Sequence, residues 1–310
     1  MGTPLLSIII CTHNRAELAR LAIESVLIQD ISQNEYEVLV IDTASTNETR
    51  SMVQEFSDTH SNVRYVLEPI AGLSHARNRG WQEARGDYVG YLDDDGKASQ
   101  DWLKAALRVV TQIQPEAFGG PYYAYYNRAK PFWYKDEYGS SVQGTVARPL
   151  KENEYISGGN MFIRRDILEQ LGGFDASLGI WYGEETNFFV RLRIANERAV
   201  IYYDPDVFIL HLVHPGKYSI VNFLRGRLIA GKQNHIMLVD PKDPAPIFNI
   251  LMIFGELVRI LKSFFWDALW RDRRMYPYVQ NHIYEITSAY IFRLGYRIES
   301  LRAAIKVFRV

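Results

Sequence analysis

Apolar and polar positions alternate in blocks along the first hundred residues. Leu5–Cys11 is a continuous apolar run, the pattern of a strand buried on both faces. Ala16–Ile28 then carries Leu18, Leu21, Ala22 and Val26 at helical spacing. The same rhythm predicts strands at Tyr36–Asp42, Val63–Leu67 and Asp87–Leu92, and helices at Asn47–Phe56, near Ser74–Ala84 and at Asp101–Ile113. Strand and helix in strict alternation imply a mainly parallel sheet flanked by helices, an α/β fold of the Rossmann-like kind.

The pattern changes after residue 115. Short strand-like runs at Tyr122–Tyr126, Met161–Ile163, Val200–Tyr203 and Val207–Leu210 are separated by turns, of which Gly158-Gly159-Asn160 and Gly172-Gly173-Phe174 are the clearest. Thr186–Ala195 reads as a helix. Aromatic residues crowd this stretch, Tyr122 and Trp181 among them, and sugar rings have apolar faces that stack on such side chains; most aromatics are nonetheless core. The last hundred residues read as helices at Ile220–Lys232, Pro246–Trp270 and Tyr278–Phe308, with a break at Pro241-Lys242-Asp243-Pro244. A boundary near 235 would separate a catalytic domain, 1–235, from a helical C-terminal extension, 236–310.

Composition narrows the class. With 310 residues, 47% hydrophobic and 23% charged, the chain can bury a large core. The single cysteine, Cys11, excludes a disulfide framework and a multi-thiolate zinc site, which fits a reducing, cytoplasmic setting. A net charge of −1 argues against a nucleic-acid binder. That total hides an asymmetry: residues 1–210 hold 20 Lys+Arg against 29 Asp+Glu, whereas 211–310 hold 15 against 7. The opening apolar run is too short, and lacks the basic lead, for a secretory signal. Pro246–Trp270 is the most apolar long segment but is interrupted by Glu256, Arg259, Lys262 and Asp267, so it does not read as a spanning helix. With Arg271, Arg273 and Arg274 after it, the segment fits a helix at the cytoplasmic membrane face, or a homodimer or core-packing helix.

In a parallel sheet, ligands bind at the carboxyl ends of the strands. Three predicted strand ends carry polar groups: Thr12-His13-Asn14-Arg15, Asp42, and Asp93-Asp94-Asp95. Adjacent carboxylates repel one another unless a cation neutralises them. Alternate residues at an extended end point the same way, so Asp93 and Asp95 could address one Mg2+ or Mn2+ together, with substrate phosphates completing its shell. Glu184-Glu185 opens the helix containing Phe188 and Phe189; such a pair complements the helix dipole or supplies a general base. His211 ends an apolar strand, with His214 three residues on, and imidazole suits Mn2+.

Together these motifs resemble glycosyltransferase family 2, whose members have the GT-A fold. The segments carrying the resemblance are LSIIICTHNR, YEVLVIDTAST, GLSHARNRGWQEARGDYVGYLDDDG, SGGNMFIRRDILEQLGGFD, WYGEETNFFVRL and VFILHLVHPGK, spread over about 5–235. The resemblance implies an inverting, metal-dependent transfer of a sugar from a nucleoside diphosphate donor, UDP-sugar foremost, to a glycan or lipid-linked acceptor. It implies that Thr12, Asn14 and Arg15 form the first nucleotide-binding loop, that Asp42 reads the nucleobase and that Arg77 lies near the nucleotide. Asp93-Asp94-Asp95 matches the DXD motif, with Asp93 and Asp94 on the nucleotide and Asp95 the direct ligand of Mn2+ or Mg2+, joined by His211. Gly158, Gly159, Asn160 and Trp181 would border donor and acceptor sugars, and Glu185 stands at the catalytic base. Two departures stand out. The second strand ends in Asp42-Thr43-Ala44-Ser45 where the family usually has Asp-Asp-Gly-Ser, and the base motif is Glu-Glu rather than Glu-Asp, which leaves Glu184 a rival beside the sugar. A nucleotidyltransferase would need a Gly-rich basic loop after the first strand, which CTHNRAEL lacks. A non-catalytic sugar-nucleotide or glycan binder would leave the donor intact with Mn2+.

Overall fold

The computed structural model describes residues 3–152, 154–178, 183–237 and 246–307. Trp181 and the expected break at Pro241-Lys242-Asp243-Pro244 lie outside the described residues. The chain divides into two compact units. One comprises Met1–Tyr125, Asp136–Ile180 and Glu184–Leu212; the other comprises Tyr126–Lys135, Trp181–Gly183 and Val213–Val310. The boundary expected near 235 falls inside a helix, Ile220–Met237, that belongs wholly to the second unit.

The first unit follows the predicted alternation closely. Its elements begin β1 (Leu6–Thr12), α1 (Ala16–Leu27), β2 (Tyr36–Asp42), α2 (Thr49–Thr59), β3 (Val63–Leu67), α3 (Leu73–Glu83), β4 (Tyr88–Leu92), β5 (Gly96–Ala98) and α4 (Trp102–Gln112). They continue with β6 (Ala117–Gly119), β7 (Tyr122–Tyr125), β8 (Arg148–Pro149), β9 (Asn160–Arg164), α5 (Arg165–Leu171), α6 (Glu184–Ala195), β10 (Ile201–Tyr203) and β11 (Ile209–Leu212). Eight strands form one sheet in the order β3-β2-β1-β4-β9-β6-β10-β8, and β5-β11-β7 form a second. The first four neighbours are parallel; β9 runs antiparallel to both β4 and β6.

Both faces of the large sheet are covered at its centre, which is why β1, β2 and β4 are buried along their length and mainly apolar rather than alternating. Leu6, Ile8 and Ile10 of β1 pack with Ala19, Ile23, Met52 and Trp102 on one side. Ile9 packs with Ala76, Ile167 and Phe188 on the other. All four β1 side chains are fully buried, each worth roughly 1.5–3 kcal/mol relative to exposure. The strand order reverses direction between β1 and β4, and that is where a parallel sheet opens its ligand crevice.

The second unit holds the helices α7 (Ile220–Met237), α8 (Pro246–Lys262), α9 (Val279–His282) and α10 (Ser288–Val307), with π-helical turns at Ser263–Asp267 and Ile283–Thr287. The predicted Pro246–Trp270 helix therefore loosens at Ser263. Ser263 Oγ lies 3.0 Å from His282 Nε2 and 2.8 Å from Thr287 Oγ1, so the two wide turns are joined by buried polar contacts. α7 and α10 cross at glycines: a Cβ on Gly231 would sit 1.9 Å from the Phe292 carbonyl oxygen, and one on Gly295 2.1 Å from that of Leu228. Only hydrogen at these positions lets the two backbones touch.

Candidate active site

Strand register builds the site. Parallel pairing of β1 and β2 sets Thr12 opposite Asp42. β4 lies on the other side of β1, and the chain leaves it through Asp93-Asp94-Asp95, where the Gly96 amide donates to the Asp93 carbonyl and turns the backbone into β5. β5 then pairs antiparallel with β11, setting Gly96 opposite His211, and the Leu212 amide donates to the Asp95 carbonyl at 3.0 Å. Two pairings thus bring a histidine 116 positions downstream against the acidic turn. His211 lies within β11 rather than at the end of an earlier strand, because the parallel pairing with β7 carries the strand on to Leu212.

Asp93, Asp95 and His211 each offer a ligand atom, all within 4.8 Å of one another. His211 Nε2 is 3.3 Å from Asp95 Oδ1 and 3.7 Å from Asp93 Oδ2. Burial works against ionisation of Asp93, but the neighbouring His211 ring and the charges of Arg77 and Arg15 outweigh it and hold its carboxyl below the usual range. The antiparallel partner strand keeps this corner open: Leu92 pairs with Asn160, which runs Gly158-Gly159 against the acidic turn. A Cβ on Gly159 would fall 2.2 Å from Asp93 Oδ2, and one on Gly158 2.8 Å from the Arg77 guanidinium nitrogens.

Asp94 faces the first loop. Thr12 Oγ1 donates to Asp94 Oδ2 at 2.8 Å and Arg15 Nη1 to Asp94 Oδ1 at 3.0 Å. Burial still pushes its carboxyl up to about 6, opposed by Arg15 and the Thr12 hydrogen bond and aided by Asp95. Arg15 also reaches to within 3.6 Å of Asp95. Asn14 does something else. Its Oδ1 accepts from the Thr46 amide at 2.8 Å, and its own amide donates to Ser45 Oγ at 2.8 Å, so it laces the loops after β1 and β2 together. Asn14 and Ala44 both adopt left-handed backbone, φ 54° and 53°. Asp42 is 1% exposed, with Tyr65 Oη donating to Oδ2 at 2.9 Å and the Ser45 amide to Oδ1 at 3.0 Å. The carboxylate is thus fixed beneath the crevice with a hydrogen bond on each oxygen.

Beyond the acidic turn lies a buried guanidinium. Arg77 of α3, 3% exposed, pairs with Glu184 Oε1 through Nη1 and approaches Asp93 Oδ1 at 3.5 Å through Nη2. Its guanidinium carbon stands 5.8 Å from the Tyr91 ring centroid and 5.7 Å from that of Phe174, which walls the charge off from water. Glu184 is therefore spoken for. Glu185 is next along the first turn of α6, with Glu184 and Arg77 as its charged neighbours. Burial and the adjacent Glu184 charge push its carboxyl up to about 7, with Arg77 partly opposing them. A carboxyl at that level is half ionised near neutrality, the condition a general base requires.

Asn160 departs from expectation. It is fully buried; Nδ2 donates to the carbonyls of Pro121 at 3.0 Å and Val207 at 2.8 Å, and Oδ1 accepts from Trp102 Nε1 at 2.9 Å. Its side-chain amide joins β9 to its neighbours in the core. His214 stands before the 3₁₀ turn Pro215–Tyr218. Cys11 has its thiol pushed up to about 12 by burial, which removes it as a nucleophile. Tyr122 was legible only as one aromatic among many. Its ring lies 5.2 Å from that of His211 because β7 pairs with β11, a neighbour relation that no local pattern announces.

The chain is 27% identical over 234 residues to the succinoglycan biosynthesis protein ExoM of Rhizobium meliloti, covering 74% of each chain. It spans about half the length, or less, of several other curated relatives. Among solved structures, the mannosyltransferase PcManGT of Pyrobaculum calidifontis, in complex with GDP-Man and Mn2+, superposes with a TM-score of 0.58 at 19% identity, covering 99% of this chain and 76% of that one. TarS of S. aureus in complex with UDP-GlcNAc gives 0.57 at 17% identity, covering 97% and 92%. These likenesses establish the GT-A-like fold. The family profile described as Glycosyl transferase family 2 matches residues 7–172, more than half of the sequence and all of the crevice from β1 to the acidic turn and Gly159, and so the chain belongs to glycosyl transferase family 2 and is a glycosyltransferase.

Proposed function

We propose that the chain moves a sugar from a nucleoside diphosphate donor, UDP-sugar foremost, to a hydroxyl of a glycan or lipid-linked acceptor, with one inversion at the anomeric carbon. The observation that carries this reading is the span of Arg77. One buried guanidinium pairs with Glu184 at the head of α6 and approaches Asp93 in the acidic cluster, which ties the helix turn that carries Glu185 to a cation-binding corner.

Asp93, Asp95 and His211 fit a divalent cation. Two carboxylates and an imidazole suit Mn2+, with Mg2+ as the harder alternative, and Gly159 adds no side chain that would crowd Asp93. When bound, such an ion neutralises the diphosphate oxygens and the charge that develops on the leaving group. The chain's own residues do the rest. Arg15, about half exposed, holds Asp94 on one side and offers its remaining N–H groups to the nucleotide on the other. Asp42 and Thr12 line the base and ribose end at the tips of β2 and β1. Glu184, held by Arg77, positions the head of α6 rather than reacting. Glu185 takes the proton of the acceptor hydroxyl, whose oxygen attacks the anomeric carbon from the side opposite the diphosphate. Inversion follows because a single displacement has no covalent sugar–enzyme intermediate. GDP-Man in PcManGT and UDP-GlcNAc in TarS support a nucleotide-sugar donor for this chain.

Glu185→Gln tests the assignment. The variant is expected to bind donor as the parent does and to lose transfer by about 10²- to 10⁴-fold, the usual worth of a positioned general base. Glu184→Gln is expected instead to lower thermal stability by stranding Arg77. Parent-like transfer by Glu185→Gln would remove the base from the mechanism.

A further inference from the structure

The helix α8 is built inside out. Its inward side carries Asn249, Glu256 and, in the turn that follows, Ser263, all 5% exposed or less. Asn249 Nδ2 donates to Ser300 Oγ at 2.9 Å, and Glu256 Oε1 accepts from Arg293 Nε at 3.1 Å, so these polar groups face α10. The outward side carries Leu251, Phe254, Val258, Leu261, Phe265 and Trp266, spaced three, four or seven apart apart from the adjacent aromatic pair and continued by Leu269 and Trp270. Phe254 is 68% exposed, Phe265 71% and Trp270 75%. In a helix facing water the two sides would be exchanged. A contiguous apolar stripe of this length marks a contact surface.

Charge selects the occupant. Arg259 and Lys262 side chains, paired with Glu256 and Asp267, are still 57% and 65% exposed, and Arg273 and Arg274 are exposed just beyond the end of the stripe. Residues 211–310 carry a net +8. A second copy of the chain would bring the same cations together across a two-fold axis. An anionic headgroup layer would neutralise them while its acyl boundary takes the stripe, and Trp side chains favour that depth. Among the described residues no helix is long and apolar enough to cross a membrane, which leaves a helix lying in the interface. We propose that the outward face of α8 and the turn after it docks the chain on an anionic lipid bilayer. The inference goes beyond the transfer chemistry and does not depend on it.

Flotation of the full chain with phosphatidylcholine vesicles, with and without phosphatidylglycerol, tests this. Strong flotation with phosphatidylglycerol, weakened by salt and accompanied by a blue shift of Trp emission, is expected. The triple variant Phe254→Ser, Phe265→Ser, Trp266→Ser should lose about 100-fold or more in partitioning, since each side chain surrenders a large apolar area. Arg273→Gln with Arg274→Gln, which leaves the helix packing untouched, should lose about 10-fold or more on phosphatidylglycerol vesicles only. Glu185→Gln should float like the parent, so a failed transfer mechanism and a failed docking surface give different results. No flotation of the parent, equal binding to both vesicle types, or a stable dimer that the triple variant disperses while lipid binding stays absent would each overturn the proposal.

Discussion

Gly159→Ala isolates the acidic corner from the rest of the molecule. The backbone at Gly159 does not lie in the left-handed region, so alanine is sterically and not conformationally disfavoured. The added Cβ would stand 2.2 Å from Asp93 Oδ2 and 2.7 Å from its Cγ, whereas ordinary contact begins near 3.4 Å. The carboxylate must therefore retreat by about 1.2 Å, several times the roughly 0.2 Å within which a cation's ligand distances are held. Retreat also draws it away from Arg77 Nη2, now at 3.5 Å, and from His211. About a third of the Asp93 side chain is exposed, so it can swing outward and the fold should lose no more than about 1 kcal/mol. Mn2+ affinity, measured by calorimetric titration with nucleoside diphosphate present, should fall about 10- to 100-fold, and transfer at limiting Mn2+ should fall with it. An alanine variant with parent-like Mn2+ affinity would mean that Asp93 is not a ligand and that the corner does not work as described.

The remaining expectations address other links. Because burial raises the Glu185 carboxyl to about 7, and a base acts only when deprotonated, transfer at saturating donor should rise as pH increases through about 7 and then level; a rate flat from pH 5 to 8 would contradict it. Asn160→Ala leaves Trp102 Nε1 and the carbonyls of Pro121 and Val207 unpaired in the core, a loss of about 3 kcal/mol or more in urea unfolding with donor affinity unchanged; selective loss of donor binding would restore it to the sugar site. Gly231→Ala forces α7 from α10 at a contact with no space, and should destabilise the second unit by about 1–3 kcal/mol in thermal unfolding.

The departure from the usual Glu-Asp base motif has a physical reading in this chain. Two glutamates at the head of α6 would repel each other if both were free and ionised. Arg77 engages the first, and the second is left with a raised carboxyl. One cation from a different element thus places the two glutamates in unequal surroundings. Neither glutamate's type nor its order in the sequence distinguishes them.

Much was written in the local pattern. The mainly apolar runs of β1, β2 and β4 are what a strand covered on both faces requires, and β2 and β3 begin and end where their pattern does. The acidic turn was legible as three consecutive carboxylates directly after an apolar strand. Chain order and period act over a few residues, and they suffice for such elements. What the pattern could not decide were relations between residues far apart in sequence. Asn160 reads as a polar loop residue until the pairing of β9 with β4 and β6 encloses it. His211 joins Asp95 only because β5 and β11 pair, and Arg77 chooses Glu184 over Glu185 only once α3 and α6 have packed on the same sheet face. On α8 the sequence announces an apolar helix, but which side turns inward depends on where α10 offers partners for Asn249 and Glu256. Burial and electrostatic pairing are properties of three-dimensional neighbourhoods, and only folding creates them.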